Sequence, residues 1–435
     1  MRNIKVLLGI GIALALILIV LAVLLFMGSG SNQQRGADSG DLFGDTSGTR
    51  TLATSTRNPF GELSTWTRAH AGEVGAKAPE FRAISNRPAI ALVALEATIQ
   101  GVPEEVVRFV DHTNGHILET PLATLAKPDI LSPKTVLRIG EAQWSATGSS
   151  TLLQYLDDTS AVVYSFLGTL RTDSNAASDT ADMLHGRLLP NNILTAALSP
   201  DGRSVFYITS TDSGSAGYIE SVEAGVSRKV WVSPLRDLTA SWNTLNEILV
   251  YNNPSAIAMG VVWSINPRTE HTSRILGPDY ALAALDDHEG NYVLYSLLES
   301  RADIASLRVE NKETGAILHM PMATIIEKCV WGPSPSTYVY CAVPRNFDTK
   351  NYLEQWYQGT LSSDDTLWRF DAATGNSTFL LDPSKETKTV FDITNLVVSP
   401  QEDYLLFRER KTDLIWSLAL PSDSADATST PATQA

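Results

Sequence analysis

The chain has 435 residues, 43% of them hydrophobic, and 48 Asp and Glu against 33 Lys and Arg leave a net charge of −15. That length can bury one large repeat domain or two ordinary ones, and an acidic balance with no basic stripe argues against nucleic acid as a partner. Two cysteines are too few for a disulfide scaffold and enough for a single bridge.

Arg2 and Lys5 precede an unbroken apolar run over 6–27, which is 22 residues. As a helix it would reach roughly 33 Å, close to the ~30 Å hydrocarbon core of a bilayer. A buried core helix would be a poor home for so long a run without one polar side chain. No small-residue cleavage site and no lipidated-type Cys follows it, so the run is expected to stay as a signal anchor. The positive flank places residues 1–5 in the cytoplasm and everything after residue 27 outside. Gly9 and Gly11 lack the spacing of a dimer seam. Residues 28–57 are Gly, Ser, Thr, Asp, Asn and Gln with few hydrophobes, the composition of a flexible tether reaching on the order of 30 Å.

From residue 58 to 421 the composition turns globular, with short β-type runs and no long amphipathic helix. Ala196-Ala197-Leu198 leads into Ser199-Pro200-Asp201-Gly202 and then Val205-Phe206-Tyr207-Ile208, which reads as strand, tight turn, strand. Comparable strands follow Leu198 at Trp242, Leu285 and Trp331, at steps of 44, 43 and 46 residues. Trp144 lies 54 residues before Leu198, and Val398 lies 67 after Trp331. A period of about 45, stretched by insertions, is that of four-stranded propeller blades. Outer hairpins recur as Val107 to Asp111 with Thr113-Asn114-Gly115, Val262 to Asn266, Leu307 to Glu310 with Thr314-Gly315, and Leu367 to Asp371 with Thr374-Gly375. The fold class is therefore all-β: a β-propeller, counted as seven blades with six or eight as alternatives, preceded by one N-terminal transmembrane helix. The last unit lacks a fourth strand and the first, from about Pro88, lacks one at its start, so an N-terminal strand is expected to close the ring. The tail over 422–435 is polar and expected to be disordered.

Ser199-Pro200-Asp201-Gly202 with Val205-Phe206-Tyr207, and Ser399-Pro400-Gln401-Glu402 with Tyr404-Leu405-Leu406-Phe407, resemble TolB-like and WD-repeat-like propeller repeats over roughly residues 85–420. Ala146-Thr147-Gly148 and Asp286-Asp287-His288 stand where Pro-Asp-Gly would be. The layout also resembles single-pass, membrane-anchored propeller proteins of candidate-phylum (Parcubacteria-type) bacteria, through Phe81 to Ser85, Val107 to Val110, Glu327 to Trp331 and Trp356 to Gly359. That resemblance implies fold and location and brings no activity with it.

Few residues suggest chemistry. Cys329 and Cys341 would face each other across a hairpin and can bridge, worth about 2–3 kcal/mol in the chain-entropy model. Buried free thiols or a redox or soft-metal pair are the alternatives, without C-x-x-C spacing or clustered His to favour them. His112 and His116 share a face only in a helix; Thr113-Asn114-Gly115 reads as a turn, so two exposed hairpin histidines are expected and no metal. No Gly-x-Ser-x-Gly, P-loop, His-Glu-x-x-His or EF-hand pattern is present, and no cofactor is expected. Asp157-Asp158, Asp286-Asp287 and Asp364-Asp365 are acid pairs of the kind glycoside chemistry uses, and of the kind turns supply routinely. An insertion over 344–365 carries Tyr352, Trp356 and Tyr357 at helical spacing on one face. Exposed, they would form a partner-binding hot spot; buried, they would cap the propeller's own core at one mouth. A second insertion, 172–192, is read as a mobile loop. The leading expectation is a non-catalytic scaffold at the cell envelope, on the extracytoplasmic side of the cytoplasmic membrane, with protein partners. An extracellular glycan- or small-ligand-binding propeller comes second, and a hydrolase or lyase using acidic residues at the channel third.

Overall fold

The computed structural model describes residues 78–99, 101–157, 162–171, 184–298, 305–345 and 352–421. The expected membrane segment 6–27, tether 28–57 and tail 422–435 lie outside them, as do 58–77 of the expected propeller domain. None of the described helices is long and apolar enough to cross a membrane.

The described residues form antiparallel four-stranded meanders in chain order. After β1 (Phe81–Ala83) the first comprises β2 (Ala89–Ile99), β3 (Val102–Asp111), β4 (Ile117–Pro121) and β5 (Asp129–Ser132). The second is β6 (Ile139–Trp144), β7 (Ser150–Leu156), β8 (Val163–Leu170) and β9 (Leu184–Leu188); the third is β10 (Ile193–Leu198), β11 (Ser204–Thr211), β12 (Gly214–Ser221) and β13 (Ser227–Ser233). A seven-stranded sheet follows, made of β14 (Leu238–Thr244), β15 (Glu247–Asn252), β16 (Met259–Ile265), β17 (Thr272–Asp286), β18 (Tyr292–Leu298), β19 (Ser306–Asn311) and β20 (Ile317–His319). Its long β17 pairs with β16 through its first part and with β18 from Tyr280 onward. The next meander is β21 (Cys329–Trp331), β22 (Tyr338–Pro344), β23 (Asp365–Asp371) and β24 (Ser377–Leu381). The last contains β25 (Ile393–Val398), β26 (Tyr404–Glu409) and β27 (Ile415–Ala419), and β1 adds beside β27 as its fourth strand.

The first strands of successive units pack on one another: β2 on β6, β6 on β10, β10 on β14, β14 on β17, β21 on β25, and β25 back on β2. Sequential meanders whose inner strands meet in order and return to the start are the architecture of a β-propeller. Every anchor strand read from the 45-residue period is one of these inner strands.

A shared turn after the inner strands β6, β10 and β25 explains part of the repeat. Ser199 N donates to Ser204 O at 2.8 Å and Gly202 N to Ser199 O at 2.9 Å, while the Asp201 carboxylate accepts from Ser199 Oγ and Arg203 N. Gly202 sits at φ +70°, where a side chain costs energy. The same bonds run from Ser145 to Ser150 and from Ser399 to Tyr404. Glu402 fills the left-handed position at φ 61°, so the turn survives where Pro-Asp-Gly is lost.

Closure of the ring matches the expected N-terminal strand. Phe81 opposes Leu418 and Ala83 opposes Trp416, and the Phe81 ring stacks on Trp416 at 5.0 Å. The buried Arg82 guanidinium donates to Leu122 O at 2.9 Å and Thr124 O at 3.2 Å in the first unit. Leu406 and Ile415 share one core with Ala89, Leu92 and Phe109. One expectation is corrected here: the 172–192 insertion is not all loop, because Leu184–Leu188 is β9, with Gly186 opposite Gly168. The two glycines let the strands approach closely but hide the hydrophobic alternation that marks a strand.

Replacing Phe81 with Ala should lower unfolding stability by about 2–4 kcal/mol, since it removes a stacked ring from the closing strand. Urea denaturation followed by tryptophan fluorescence measures this.

Candidate functional site: a helical cap over the inner strands

The connection from β22 to β23 contains α1 (Tyr352–Tyr357). Its apolar residues fall at i, i+1 and i+4, so one face is oily. That face packs on Ala281, Leu298, Ala305 and Ile325, which come from β17, β18 and the segments after β18 and β20. The Glu354 carboxylate accepts from Ala256 N at 2.7 Å and Ser255 Oγ at 3.1 Å, both in the β15–β16 connection. Arg410, after β26, donates to Trp356 O at 2.8 Å and lies 4.3 Å over the Trp356 ring. The helix thus reaches groups from the seven-stranded sheet through to the last unit.

Of the three residues expected to meet a partner, Tyr352 and Trp356 are only 4% and 5% exposed, and Tyr357 is 39% exposed. Expectation and structure part here: Tyr352 and Trp356 present no surface, because the face they share is the one α1 buries, and they cap the interior. The Tyr357 hydroxyl donates to the half-buried Glu327.

Beneath the cap lies a charged cluster. Lys328 ends a single 3-10 turn (Ile326–Lys328) ahead of β21, Asp365 opens β23, and Asp392 precedes β25. Lys328 Nζ donates to Asp365 Oδ2 at 2.6 Å, Asp392 Oδ1 at 2.7 Å and Ile393 O at 3.0 Å. Lys328 and Asp365 are fully buried and Asp392 is 1% exposed. Ile393 N donates to Asp365 Oδ2 at 2.7 Å. Asp392 Oδ1 also accepts from Ser363 Oγ at 2.9 Å and Trp356 Nε1 at 3.2 Å. Burial raises the Asp365 carboxyl above its ordinary value, with Lys328 opposing. Burial also pushes Asp392 up, but the Lys328 charge and the bonds from Lys328, Trp356 and Ser363 more than reverse this and leave it lowered.

A second, partly buried cluster joins the two parts of the seven-stranded sheet. Lys312 Nζ donates to Glu247 Oε2 at 2.6 Å and Asp286 Oδ1 at 2.7 Å. Burial pushes Asp286 up to about 7; Lys312 opposes this and Glu247 adds to it. The other acids of the expected pairs serve turns and ion pairs: Asp287 Oδ1 accepts from Tyr292 N at 3.1 Å, and Asp364 Oδ2 meets Arg345 Nε at 3.0 Å. Asp158 lies outside the described residues.

Cys329 and Cys341 are directly opposite on β21 and β22 and form a disulfide. His112 and His116 flank the expected turn but are half-buried, not exposed. His112 bonds Asp413 at 3.1 Å and Ile139 O at 2.8 Å, bracing three units together. Among the described residues no group of three or more His, Cys, Asp and Glu is placed to hold a metal.

Sequence reasoning passed over Lys328, Asp392 and Arg410. The signal was a lone Lys inside Ile325-Ile326-Glu327-Lys328-Cys329-Val330-Trp331, an apolar run entering an inner strand. A lysine there must be paired or neutralised.

No family model and no curated protein matches the chain. Solved propellers resemble it in fold. The β-propeller domain of the Trilobed protease from Pyrococcus furiosus is 11% identical, with a TM-score of 0.42 over 62% of this chain and 77% of that one. The Cps50 (Swd1) β-propeller domain from Myceliophteria thermophila is 10% identical, with a TM-score of 0.47 over 78% and 100%. TolB from Acinetobacter baumannii is 8% identical, with a TM-score of 0.40 over 83% of each.

Trp356→Ala should cost about 3–5 kcal/mol, as for other buried aromatic deletions, whereas Tyr357→Ala should cost about 1 kcal/mol or less. Thermal melts of the two variants test this. For Asp286 the folded pKa lies above the unfolded value of about 4, so its contribution is full at low pH and is lost as pH rises through about 7. The wild-type advantage over Asp286→Asn in urea-unfolding stability should therefore shrink from about pH 4 to about pH 7 and be level above.

Proposed function

We propose that this chain is a membrane-anchored protein-interaction scaffold with no catalysis of its own. In this reading residues 6–27 are a signal anchor, 28–57 a tether, and 58–421 a seven-bladed propeller on the extracytoplasmic side of the cell envelope. The seven blades are the five four-stranded sheets, one completed by β1, and two from the seven-stranded sheet that share β17.

One observation carries the interaction role. The outermost strand β13 has an unpaired edge and is longer than β5, β9, β20 and β24. Val232 on it is 65% exposed, and Val226 just before it is 69% exposed. Beside it an open groove is lined by Lys229, Trp231, Val232, Pro234 and Trp263. Arg228 and Lys229 charge the first half of this edge and Pro234 follows it, which leaves the Val232 end as the part to which an extended partner segment can add as a further strand. Tyr357 offers a second, smaller contact on the cap. The burial of Lys328, Asp365 and Asp286, each 2% exposed or less, supports the non-catalytic reading. The disulfide supports an oxidising compartment.

In-cell crosslinking and recovery of the full-length protein tests the reading, with Val232→Asp and Tyr357→Ala as variants. Wild type should bring down a defined envelope complex from the membrane fraction. Val232→Asp should reduce recovery by more than about tenfold, since a hot-spot contact is worth roughly 2 kcal/mol or more. Recovery of nothing above background overturns the scaffold role. If glycans or peptidoglycan fragments bound instead, with Trp263 as a stacking face, the ligand-binding alternative would take its place.

A further inference from the structure

A primary amine held against two carboxyl groups in a dry interior is a set of reactants as well as an ion pair. We propose that Lys328 and Asp365 become covalently joined by an amide (isopeptide) bond, with Asp392 as the group that takes the amine's proton. Three features of the cluster point to this.

The first is placement. Lys328 Nζ lies 2.6 Å from Asp365 Oδ2 and 2.7 Å from Asp392 Oδ1, with all three side chains buried. Residues held in contact by the fold react as if at very high concentration. The second is that the two carboxyls are unlike. Asp392 Oδ1 accepts three side-chain bonds, from Lys328, Trp356 and Ser363, which suits the ionised form. Asp365 Oδ1 is buried with no hydrogen-bond partner among the described residues, as suits the hydroxyl oxygen of a neutral acid. The raised Asp365 and lowered Asp392 carboxyls agree with this division. The third is a donor to the oxygen that gains charge. Ile393 N donates to Asp365 Oδ2 at 2.7 Å, where negative charge builds as the carbonyl carbon is attacked.

The step balances without an outside reagent. The Lys328 ammonium gives one proton to the Asp392 carboxylate, and the neutral amine attacks Asp365 Cγ. As the tetrahedral adduct collapses, the C–O bond to the Asp365 hydroxyl breaks. That hydroxyl leaves as water with a second proton from the nitrogen, and the third proton stays on the amide. Asp392 keeps its proton and ends as a neutral acid. Nothing is oxidised or reduced. Two buried charges that are costly to desolvate, the Lys328 ammonium and the Asp392 carboxylate, give way to a neutral amide and a neutral acid. The new link would tie the turn before β21 to the start of β23, closing the loop that carries α1 beside the Cys329–Cys341 bridge.

Intact mass of the full-length, detergent-purified, reduced protein decides the matter. It should be lighter than the sequence by one water. Trypsin should fail to cut after Lys328 and should release a single branched peptide joining 313–345 to 351–369. Asp365→Ala should restore the unmodified mass. Asp392→Asn should leave most molecules unlinked, and Asp365→Asn should link by losing ammonia and reach the wild-type linked mass. Wild-type protein that melts cooperatively with its disulfide intact, yet has the unmodified mass and yields 313–328 and 351–369 as separate peptides, would overturn the proposal. So would a branch from Lys328 to 389–408, which would make Asp392 the acylated residue.

Discussion

The strand Phe81–Ala83 pairs across the seam between the two ends of the repeat, beside a core shared by Leu406 and Ile415 with Ala89, Leu92 and Phe109. Each meander is a sheet with two open edges, and a ring of meanders is stable only if the last unit meets the first. Here the chain crosses that seam once, with β1 pairing to β27. Phe81 lies against Phe391, Phe407 and Trp416 in the last unit, while Arg82 bonds carbonyls of the first. The inner strands can then pack in an unbroken order, and everything above them, including the α1 cap, rests on that order.

The cap shows how an insertion becomes part of a core. Its Tyr352, Leu353 and Trp356 fill the space between inner-strand ends from several units. Beneath it, Lys328 sits where an unpaired ammonium would be prohibitively costly. Two carboxyl groups, a backbone carbonyl and the Trp356 ring at 5.2 Å surround it. The Trp356 indole in turn bonds Asp392 and supports Arg410. Such a network adds little net stability over a well-packed apolar one, but removal of any single member is expensive.

How much of this could be read beforehand depended on the range of the interactions involved. The Ser199 turn, the outer Asp-x-x-Thr-Gly turns and the 45-residue spacing are local, so the repeat and the closing strand were legible. The cysteine pair was legible as a possible bridge, since both partners lie in one hairpin. The second insertion misled because Gly186 in β9 carries no side chain to mark the strand. Of the aromatic trio, Tyr352 and Trp356 do share one helix face, while Tyr357 falls outside it. The trio's exposure was not readable, because spacing says which residues share a face and nothing about what that face meets.

By itself, then, the sequence determined an acidic, all-β repeat with its turns and its closing strand, since turn chemistry and strand alternation act within a few residues of chain. It also carries the apolar 6–27 segment, whose length alone suits a bilayer. Tertiary structure decided that Tyr352 and Trp356 face inward, that β17 serves two meanders, and that Lys328, Asp365 and Asp392 meet. Those three residues span 64 positions of sequence, and only the packing of β21, β23 and β25 around one shared interior brings their charges within hydrogen-bonding distance.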